Sequence, residues 1–174
     1  MEDTHLRVTL CLLMVLAADP KPPGEGHFIT DESEAVTPQA KADVDELAAT
    51  VHVGGFGELA VLVVDSTGGV PAAKFATKVF SSWPVGHAEN IDGALLLVAV
   101  KDKASALVLG DGFVGVEVKE VEAQVVARLK ESTVDDAVRD GARSVLRLLE
   151  RYKSNKPAAA AAPAPTPDAG TKKK

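Results

Sequence analysis

Acidic side chains in the predicted loops are the residues of this chain whose type best suits a functional site, because their carboxylates can bind a cation. They are Asp31, Asp65, Glu89, Asp92 and Asp111. Loop carboxylates, together with the backbone carbonyls that glycines leave accessible, are oxygen ligands, which hard cations such as calcium and magnesium prefer. The alternative is turn chemistry, because aspartate favours turns through hydrogen bonds to nearby backbone. Spacing alone slightly favours the turn interpretation.

The elements that must position these residues follow from the hydrophobic pattern. Continuous apolar runs at residues 59–64 and 94–100 predict two strands that are covered on both faces. A polar turn at residues 101–103 leads into a third strand at 104–109, so the last two strands form a hairpin. An amphipathic helix over residues 72–83 joins the first two strands. This order predicts a right-handed parallel unit, with the third strand antiparallel beside it.

Three further helices flank the predicted sheet. The first starts at Thr37, whose hydroxyl caps it, with Pro38 in the first turn and apolar residues at helical spacing from Val44. Two more follow the hairpin, one around residues 118–129 and one that starts at residues 132–133 and continues to residue 149. The predicted order is α-β-α-β-β-α-α. We therefore expect an α/β fold, in the form of a small three-layer sandwich with a mixed sheet.

The predicted hairpin brings two of the carboxylates to one end of the sheet. A turn centred on Asp102 pairs positions that sum to about 204, so that Gly93 faces Asp111 and Asp92 faces Gly112. Asp92 precedes the second predicted strand and Asp111 follows the third. In an antiparallel pair, the start of one strand lies beside the end of the other. We therefore expect Asp92 and Asp111 at the same end of the sheet.

The remaining carboxylates complete two separate clusters. Glu89 lies in the loop before Asp92 and joins Asp92 and Asp111 in a first cluster. Asp65 leaves the first predicted strand at the opposite end of the sheet, where the segment around Asp31 returns, and these two residues form a second cluster. The ligand expected at such clusters is calcium or magnesium.

The charge of the chain argues against one class of partner. The chain has 174 residues, with 19 Lys+Arg and 25 Asp+Glu, and a formal net charge of −6. Residues 28–152 alone hold 12 Lys+Arg and 20 Asp+Glu, which is a net charge of −8. Binding of nucleic acid depends on basic residues that neutralise phosphates. The balance therefore predicts no nucleic-acid partner and favours cations or a basic protein.

Other motifs lack the context that their chemistry needs. The sequence GDGFVG at residues 110–115 fits a dinucleotide-binding pattern, but no strand is readable after it, so we predict a glycine-rich turn. The four histidines have no zinc-site spacing. No G-x-S-x-G elbow supports a serine nucleophile near His87. No catalytic residue is assigned.

The two ends of the chain differ in composition from its middle. Residues 8–18 are an apolar run after Arg7 with a small-residue exit, which predicts a signal peptide over residues 1–18 that contains the single cysteine, Cys11. The alternative is a buried first strand. Residues 19–27 predict a Pro/Gly linker, and residues 153–174 predict a disordered Ala/Pro-rich tail ending in three lysines. We expect a periplasmic or secreted protein with no transmembrane anchor in the mature chain.

Four stretches within residues 28–152 carry a family resemblance. They are ITD at 29–31 with VT at 36–37, ELAVLVV at 58–64, FSSWPVG at 80–86 running into DGALLLV at 92–98, and GDG at 110–112 followed by DD at 135–136. With these motifs the segment resembles the TPM domain family, also called the TPM phosphatase family. That family includes thylakoid-lumen acid phosphatase-like proteins of photosystem II repair and many bacterial extracytoplasmic proteins.

The chain departs from the family pattern in three places. Asp111 stands where the family usually has an aromatic residue, and the segment after Gly115 lacks the usual Leu-Pro-Asp. An Ala/Pro-rich segment stands where many bacterial relatives carry a transmembrane helix. The resemblance implies an α/β sandwich outside the cytoplasm, with acid phosphatase activity as in plant members or divalent-cation binding as in some others. It identifies no nucleophile in this chain.

Three functional hypotheses follow. The first is a secreted or periplasmic accessory module that binds a divalent cation and supports membrane-protein assembly or maintenance, with a membrane protein or a basic protein as partner. The second is a metal-assisted phosphomonoesterase, in which the cation polarises the phosphate and Lys74, Lys78 or Lys101 offsets the acidic charge. The third is a metal-free interaction domain whose acidic face meets a basic partner.

Overall fold

The structure is a computed structural model that describes residues 19–86 and 91–155. Strands and helices of an α/β fold occupy most of these ranges. In chain order they are β1 (Ile29–Asp31), α1 (Pro38–Val53), β2 (Glu58–Val64), α2 (Ala72–Ser82), β3 (Gly93–Ala99), β4 (Ala104–Leu109), α3 (Lys119–Glu131) and α4 (Val134–Asn155).

The sheet has the strand order β1-β2-β3-β4. β1 pairs with β2 in parallel, β2 pairs with β3 in parallel, and β3 pairs with β4 antiparallel. The predicted parallel unit and the hairpin beside it are therefore confirmed. β1 is missing from the sequence prediction, because a strand of three residues at a sheet edge is too short to show a hydrophobic period.

Alternate residues of the two central strands point into two different cores. β2 is buried from Leu59 onward and β3 is buried along its whole length. One face packs with α1, α3 and α4, and the other packs with α2. The resulting helix–sheet–helix arrangement is the predicted three-layer sandwich.

The start of α1 follows the sequence prediction. The Thr37 hydroxyl accepts a hydrogen bond from the backbone nitrogen of Ala40 at 3.3 Å, and Pro38 is the first helical residue. Thr37 also ties α1 to α4, because its backbone nitrogen and hydroxyl donate to the Asp135 carboxylate at 2.9 and 2.6 Å. The buried positions of α1 are Ala40, Val44, Ala48 and Val51.

The hairpin register differs by one residue from the sequence prediction. Ala94 pairs with Leu109, so paired positions sum to 203 rather than about 204. The connecting segment comprises residues 100–103, and Lys103 adopts a left-handed conformation with φ of 49°. The centre of the turn therefore lies between Lys101 and Asp102, half a residue before the predicted centre.

Residues 19–27, predicted as a linker, dock against the domain at their start. Pro20 is buried, and its carbonyl oxygen accepts a hydrogen bond from Nε1 of Trp83 at 2.9 Å. Trp83 is only 3% exposed, so its single donor needs this partner. Asp19 forms an ion pair with Lys78 of α2. The Pro/Gly composition of residues 19–27 predicts a linker, but it does not predict the hydrogen bond between Pro20 and Trp83.

The other predicted terminal segments fall mostly outside the described residues. Residues 1–18 hold the predicted signal peptide, and residues 156–174 hold most of the predicted tail. The predicted tail begins at residue 153, whereas α4 continues to Asn155. Within residues 19–86 and 91–155, no helix is both long and apolar enough to span a bilayer.

The glycine-rich segment after β4 forms a turn. The backbone nitrogen of Phe113 donates to the carbonyl oxygen of Gly110 at 3.0 Å. Beyond residue 115, the described part of the chain contains only α3 and α4. The βαβ unit that a dinucleotide site needs is thus not completed there.

Gly141 sets how closely α4 approaches the sheet and α3. A Cβ at this position would lie 2.8 Å from Cγ2 of Val125 and 2.9 Å from Cδ2 of Leu96. We predict that Gly141→Ala lowers the free energy of unfolding by about 1–2 kcal/mol, because overpacking outweighs the gain in helix propensity. Urea denaturation measures the change.

The matched control is Ser154→Ala, at an exposed position in the last turn of the same helix. We expect a change within about 0.5 kcal/mol there. A Gly141→Ala protein as stable as the wild type would contradict the close packing.

Candidate metal site

Asp92 and Asp111 lie opposite each other at one end of the sheet. The β3–β4 ladder continues beyond its last strand pair, because Gly110 nitrogen donates to Gly93 oxygen at 2.8 Å and Gly112 nitrogen donates to Ile91 oxygen at 2.7 Å. The position between these two pairs is that of Asp92 and Asp111. Cβ atoms at such opposed positions are typically roughly 5 Å apart. The one-residue correction to the register thus places Asp92 directly opposite Asp111.

Two glycines allow the neighbouring loops to approach Asp92 closely. Gly86 has φ of 89°, and a Cβ there would lie 2.5 Å from Gly93 nitrogen and 3.0 Å from Oδ1 of Asp92. Gly57 has φ of 135°, and a Cβ there would lie 2.4 Å from Asp92 oxygen. Any other residue at either position would be strained and would push the loops apart.

Glu58 is a third acidic residue at this end, in addition to the site residues that the sequence pattern predicts. Its Oε2 accepts a hydrogen bond from Gly86 nitrogen at 3.0 Å, and its backbone nitrogen donates to Asp92 oxygen at 3.0 Å. Parallel pairing places Glu58 level with Gly93. Counting the parallel register from the sequence would have found it beside Asp92.

An aromatic pair supports the turn that carries Asp111. The Tyr152 hydroxyl of α4 donates to Gly112 oxygen at 2.7 Å, and its ring meets Phe113 edge-on with 5.4 Å between centroids. Phe113 is 6% exposed and packs in the larger core. Asp111 itself is exposed and makes no hydrogen bond or ion pair with the described residues. The turn is thus fixed while its carboxylate faces solvent.

The described residues supply part of a cation shell at this end. Glu89, the third member of the predicted first cluster, falls outside the described residues, as does His87. Among residues 19–86 and 91–155, no three His, Cys, Asp or Glu side chains are grouped so as to hold a metal ion. The donors at hand are carboxylate and backbone oxygens, which suit calcium or magnesium rather than a softer metal.

Asp31, from the predicted second cluster, is engaged in its own loop. Its side chain has no exposed surface and forms an ion pair with Lys41 at 3.0 Å. It accepts hydrogen bonds from the nitrogen and hydroxyl of Ser33 at 3.1 and 2.7 Å, and from Val36 nitrogen at 3.1 Å. Burial acts to raise the pKa of Asp31, but the bonds from Ser33, Lys41 and Val36 together hold it below its usual value. Asp31 thus forms local hydrogen bonds that stabilise its own turn, as the turn interpretation of the loop carboxylates expects.

Asp65 lies at the same end of the sheet as Asp31, as expected, but has a different partner. Its Oδ2 forms an ion pair with Nζ of Lys101 at 2.6 Å. In the same region, hydrogen bonds from Thr67 nitrogen and the Ser66 hydroxyl lower the pKa of Asp102. The carboxylates at this end are thus each satisfied separately, and the structure does not gather them around a common point.

The sequence matches the model of one protein family. The sequence model described as the TPM domain matches residues 29–148. The chain belongs to the TPM domain family. This match spans every strand and helix of the fold from β1 to most of α4, and it confirms the family resemblance of the four sequence stretches.

Solved structures share the fold of this TPM domain. The N-terminal domain of a P. gingivalis protein has 18% identity and a TM-score of 0.64, covering 72% of this chain and 83% of that chain. The N-terminal domain of a Corynebacterium glutamicum protein has 12% identity and a TM-score of 0.57, covering 82% and 88%. A protein of the psychrophilic bacterium Bizionia argentinensis has 18% identity and a TM-score of 0.56, covering 67% and 83%. No curated protein matches the sequence significantly.

The buried Asp31 carboxylate makes a pH-dependent contribution to stability. Since its pKa is lower in the folded chain than in the unfolded chain, the contribution is complete above the unfolded value near 3.8 and is lost as the pH falls below it. We predict that Asp31→Asn lowers the free energy of unfolding at pH 7 by about 1.5–3 kcal/mol, because charge-assisted hydrogen bonds are lost. The difference should shrink at pH 3.

Urea denaturation at both pH values measures this effect. The control is Glu32→Gln, which removes a charge at the neighbouring exposed position and should leave stability almost unchanged. A loss in Asp31→Asn that is equal at both pH values would contradict the assignment.

Proposed function

We propose that this TPM domain is an extracytoplasmic accessory module that binds a divalent cation, calcium or magnesium, and supports the assembly or maintenance of membrane proteins. The cation site consists of the Asp92 and Asp111 carboxylates, with Glu58 beside them and Glu89 from the adjacent loop. The observation that carries the proposal is the opposed position of Asp92 and Asp111 where the ladder of β3 and β4 ends.

The surroundings favour a cation at this end over the predicted second cluster. Glu58 and Asp92 both lie against Gly86, and Asp111 is exposed across the ladder from Asp92. Asp31 and Asp65, at the opposite end, are paired with Lys41 and Lys101. Asp92 and Asp111 carry like charges that repel one another, and a cation between them would relieve that repulsion.

A bound cation would link three segments of the fold. Its ligands come from the start of β2, the loop before β3 and the turn after β4. Ligation would therefore fix these loops relative to one another, and it would neutralise part of the net charge of −8 carried by residues 28–152. A module of this kind presents a calcium-dependent surface to a partner.

The metal-assisted phosphomonoesterase has less support. Two of the three lysines considered for offsetting its charge are paired elsewhere. Lys101 pairs with Asp65 at the opposite end of the sheet, and Lys78, on α2, pairs with Asp19. Release of phosphate from a chromogenic ester at acidic pH, present in the wild type and abolished in Asp92→Asn, would replace our proposal with this one.

Removal of a ligand should weaken cation binding. We predict that Asp92→Asn and Asp111→Asn each lower the calcium affinity by at least about tenfold, since each substitution removes a charged oxygen ligand. Isothermal titration calorimetry with calcium and then magnesium measures the affinity. Thermal denaturation in chelator confirms that each variant is folded.

The matched control is Asp65→Asn, which removes an equal charge at the opposite end of the sheet. We expect it to bind calcium as the wild type does. Absence of calcium and magnesium binding by the wild type at millimolar concentration overturns the proposed site, and equal weakening by Asp65→Asn reduces it to the overall charge of the domain.

A further inference from the structure

Residues 19–23, with the sequence DPKPP, form a segment that its own prolines hold extended. Proline fixes its φ near about −65° and restricts the residue before it to extended conformations. Prolines at positions 20, 22 and 23 therefore constrain every residue of the segment, and the structure shows neither helix nor strand there. Such a chain is close to polyproline II, so it loses little conformational entropy when it binds to a surface.

The first two residues of this segment lie on a surface formed by Lys78 and Trp83, which we call the Trp83 surface. Nε1 of Trp83 donates to the carbonyl oxygen of Pro20 at 2.9 Å, and both residues are buried. Asp19 pairs with Nζ of Lys78. Sites lined with aromatic side chains are a recurrent means of recognising proline-rich segments, because the extended chain is already formed before it binds.

Residues 19–23 are otherwise held loosely. Their other hydrogen bonds and ion pairs with the described part of the chain are exposed, such as the 3.2 Å bond from the Thr30 hydroxyl to Lys21 oxygen. The ion pair of Lys78 is exposed as well, and pairs of this kind contribute little. Between the segment and β1, a Cβ on Gly24 or Gly26 would have no atom within 4 Å. No packing at these glycines therefore opposes release of the segment.

We propose that the Trp83 surface is a binding site for a proline-rich extended segment of a partner protein, and that residues 19–23 occupy this site until the partner displaces them. The contacts define the ligand: a carboxylate for Lys78, and after it a proline whose carbonyl oxygen accepts the indole hydrogen bond. Neither contact depends on the covalent connection to β1. A partner segment in which aspartate precedes the first of several prolines offers the same groups.

Occupation by the chain's own segment sets the affinity that a partner needs. A segment attached through a short flexible linker has an effective concentration in the millimolar range at its site. A peptide added from solution competes with it and binds weakly to the wild type. Substitutions that loosen residues 19 and 20 remove this competition, so they should raise the apparent affinity for the peptide by at least about tenfold.

Peptide binding to a loosened chain tests the proposal. The protein is the chain from residue 19 to residue 174 with the substitutions Asp19→Asn and Pro20→Gly, which leave every described strand and helix intact in sequence. The ligand is the capped peptide Asp-Pro-Lys-Pro-Pro-Gly. Trp83 is the only tryptophan of the chain, so fluorescence reports on the surface itself. We expect red-shifted emission in the variant and a saturable blue shift when the peptide is added.

The wild type provides a measurement that needs no variant. When unlabelled peptide displaces residues 19–23 of the isotopically labelled chain, the amide resonance of Lys21 should shift, at a peptide concentration at least about tenfold above the one that saturates the variant. Absence of this shift in the wild type, or absence of a blue shift in a folded variant, overturns the proposal and leaves residues 19–23 as a structural part of the domain.

The matched control is Glu25→Gln, which removes an exposed charge just after the segment and should leave the emission of Trp83 unchanged. In the loosened chain, Lys78→Gln should weaken peptide binding about two- to fivefold, since it removes an exposed ion pair. A peptide with alanine in place of its three prolines should bind at least about tenfold more weakly.

Two further outcomes contradict the proposal. Equal binding of the alanine peptide would show that charge alone, and not the proline-rich conformation, is recognised. A dimer of the wild type that forms with rising concentration and is lost in Asp19→Asn/Pro20→Gly, measured by light scattering, would assign the site to a second copy of this chain rather than to a partner protein.

Discussion

Burial of both faces of the two central strands is the constraint on which the rest of this structure depends. β2 from Leu59 and the whole of β3 lie between two cores, so no polar side chain can project from their middle without an unsatisfied buried group. Polar residues are therefore confined to the ends of the strands. The domain has two such ends, and their chemistry differs.

The two ends hold their carboxylates in different ways. Asp31 is buried under hydrogen bonds and Lys41, and Asp65 is held by Lys101. At the other end, Asp92 and Asp111 are opposed across the ladder of β3 and β4, and tight glycine contacts hold the loops around them. The same residue type thus stabilises a turn at one end and forms a candidate ligand set at the other.

The long helices and strands and the topology of this fold can be predicted well from the sequence, because they depend on the spacing of apolar residues and on helix-capping residues. Thr37 and Pro38 mark the start of α1, and the paired ends of β3 and β4 follow from the hairpin alone. The parts that depend on tertiary contact are not predictable in this way. Pro20 is held by the indole of Trp83, and the hairpin register occurs together with a left-handed turn residue, Lys103.

The central claim is that a divalent cation binds between the turn after β4 and the loops at the start of β2 and β3. The most direct test is an NMR titration of the isotopically labelled chain with calcium, following backbone amide shifts. The account predicts saturable shifts at Gly86, Gly93, Gly110 and Gly112, with the amides around Asp31 unchanged. Shifts confined to the Asp31 end, or none at millimolar calcium, would contradict it.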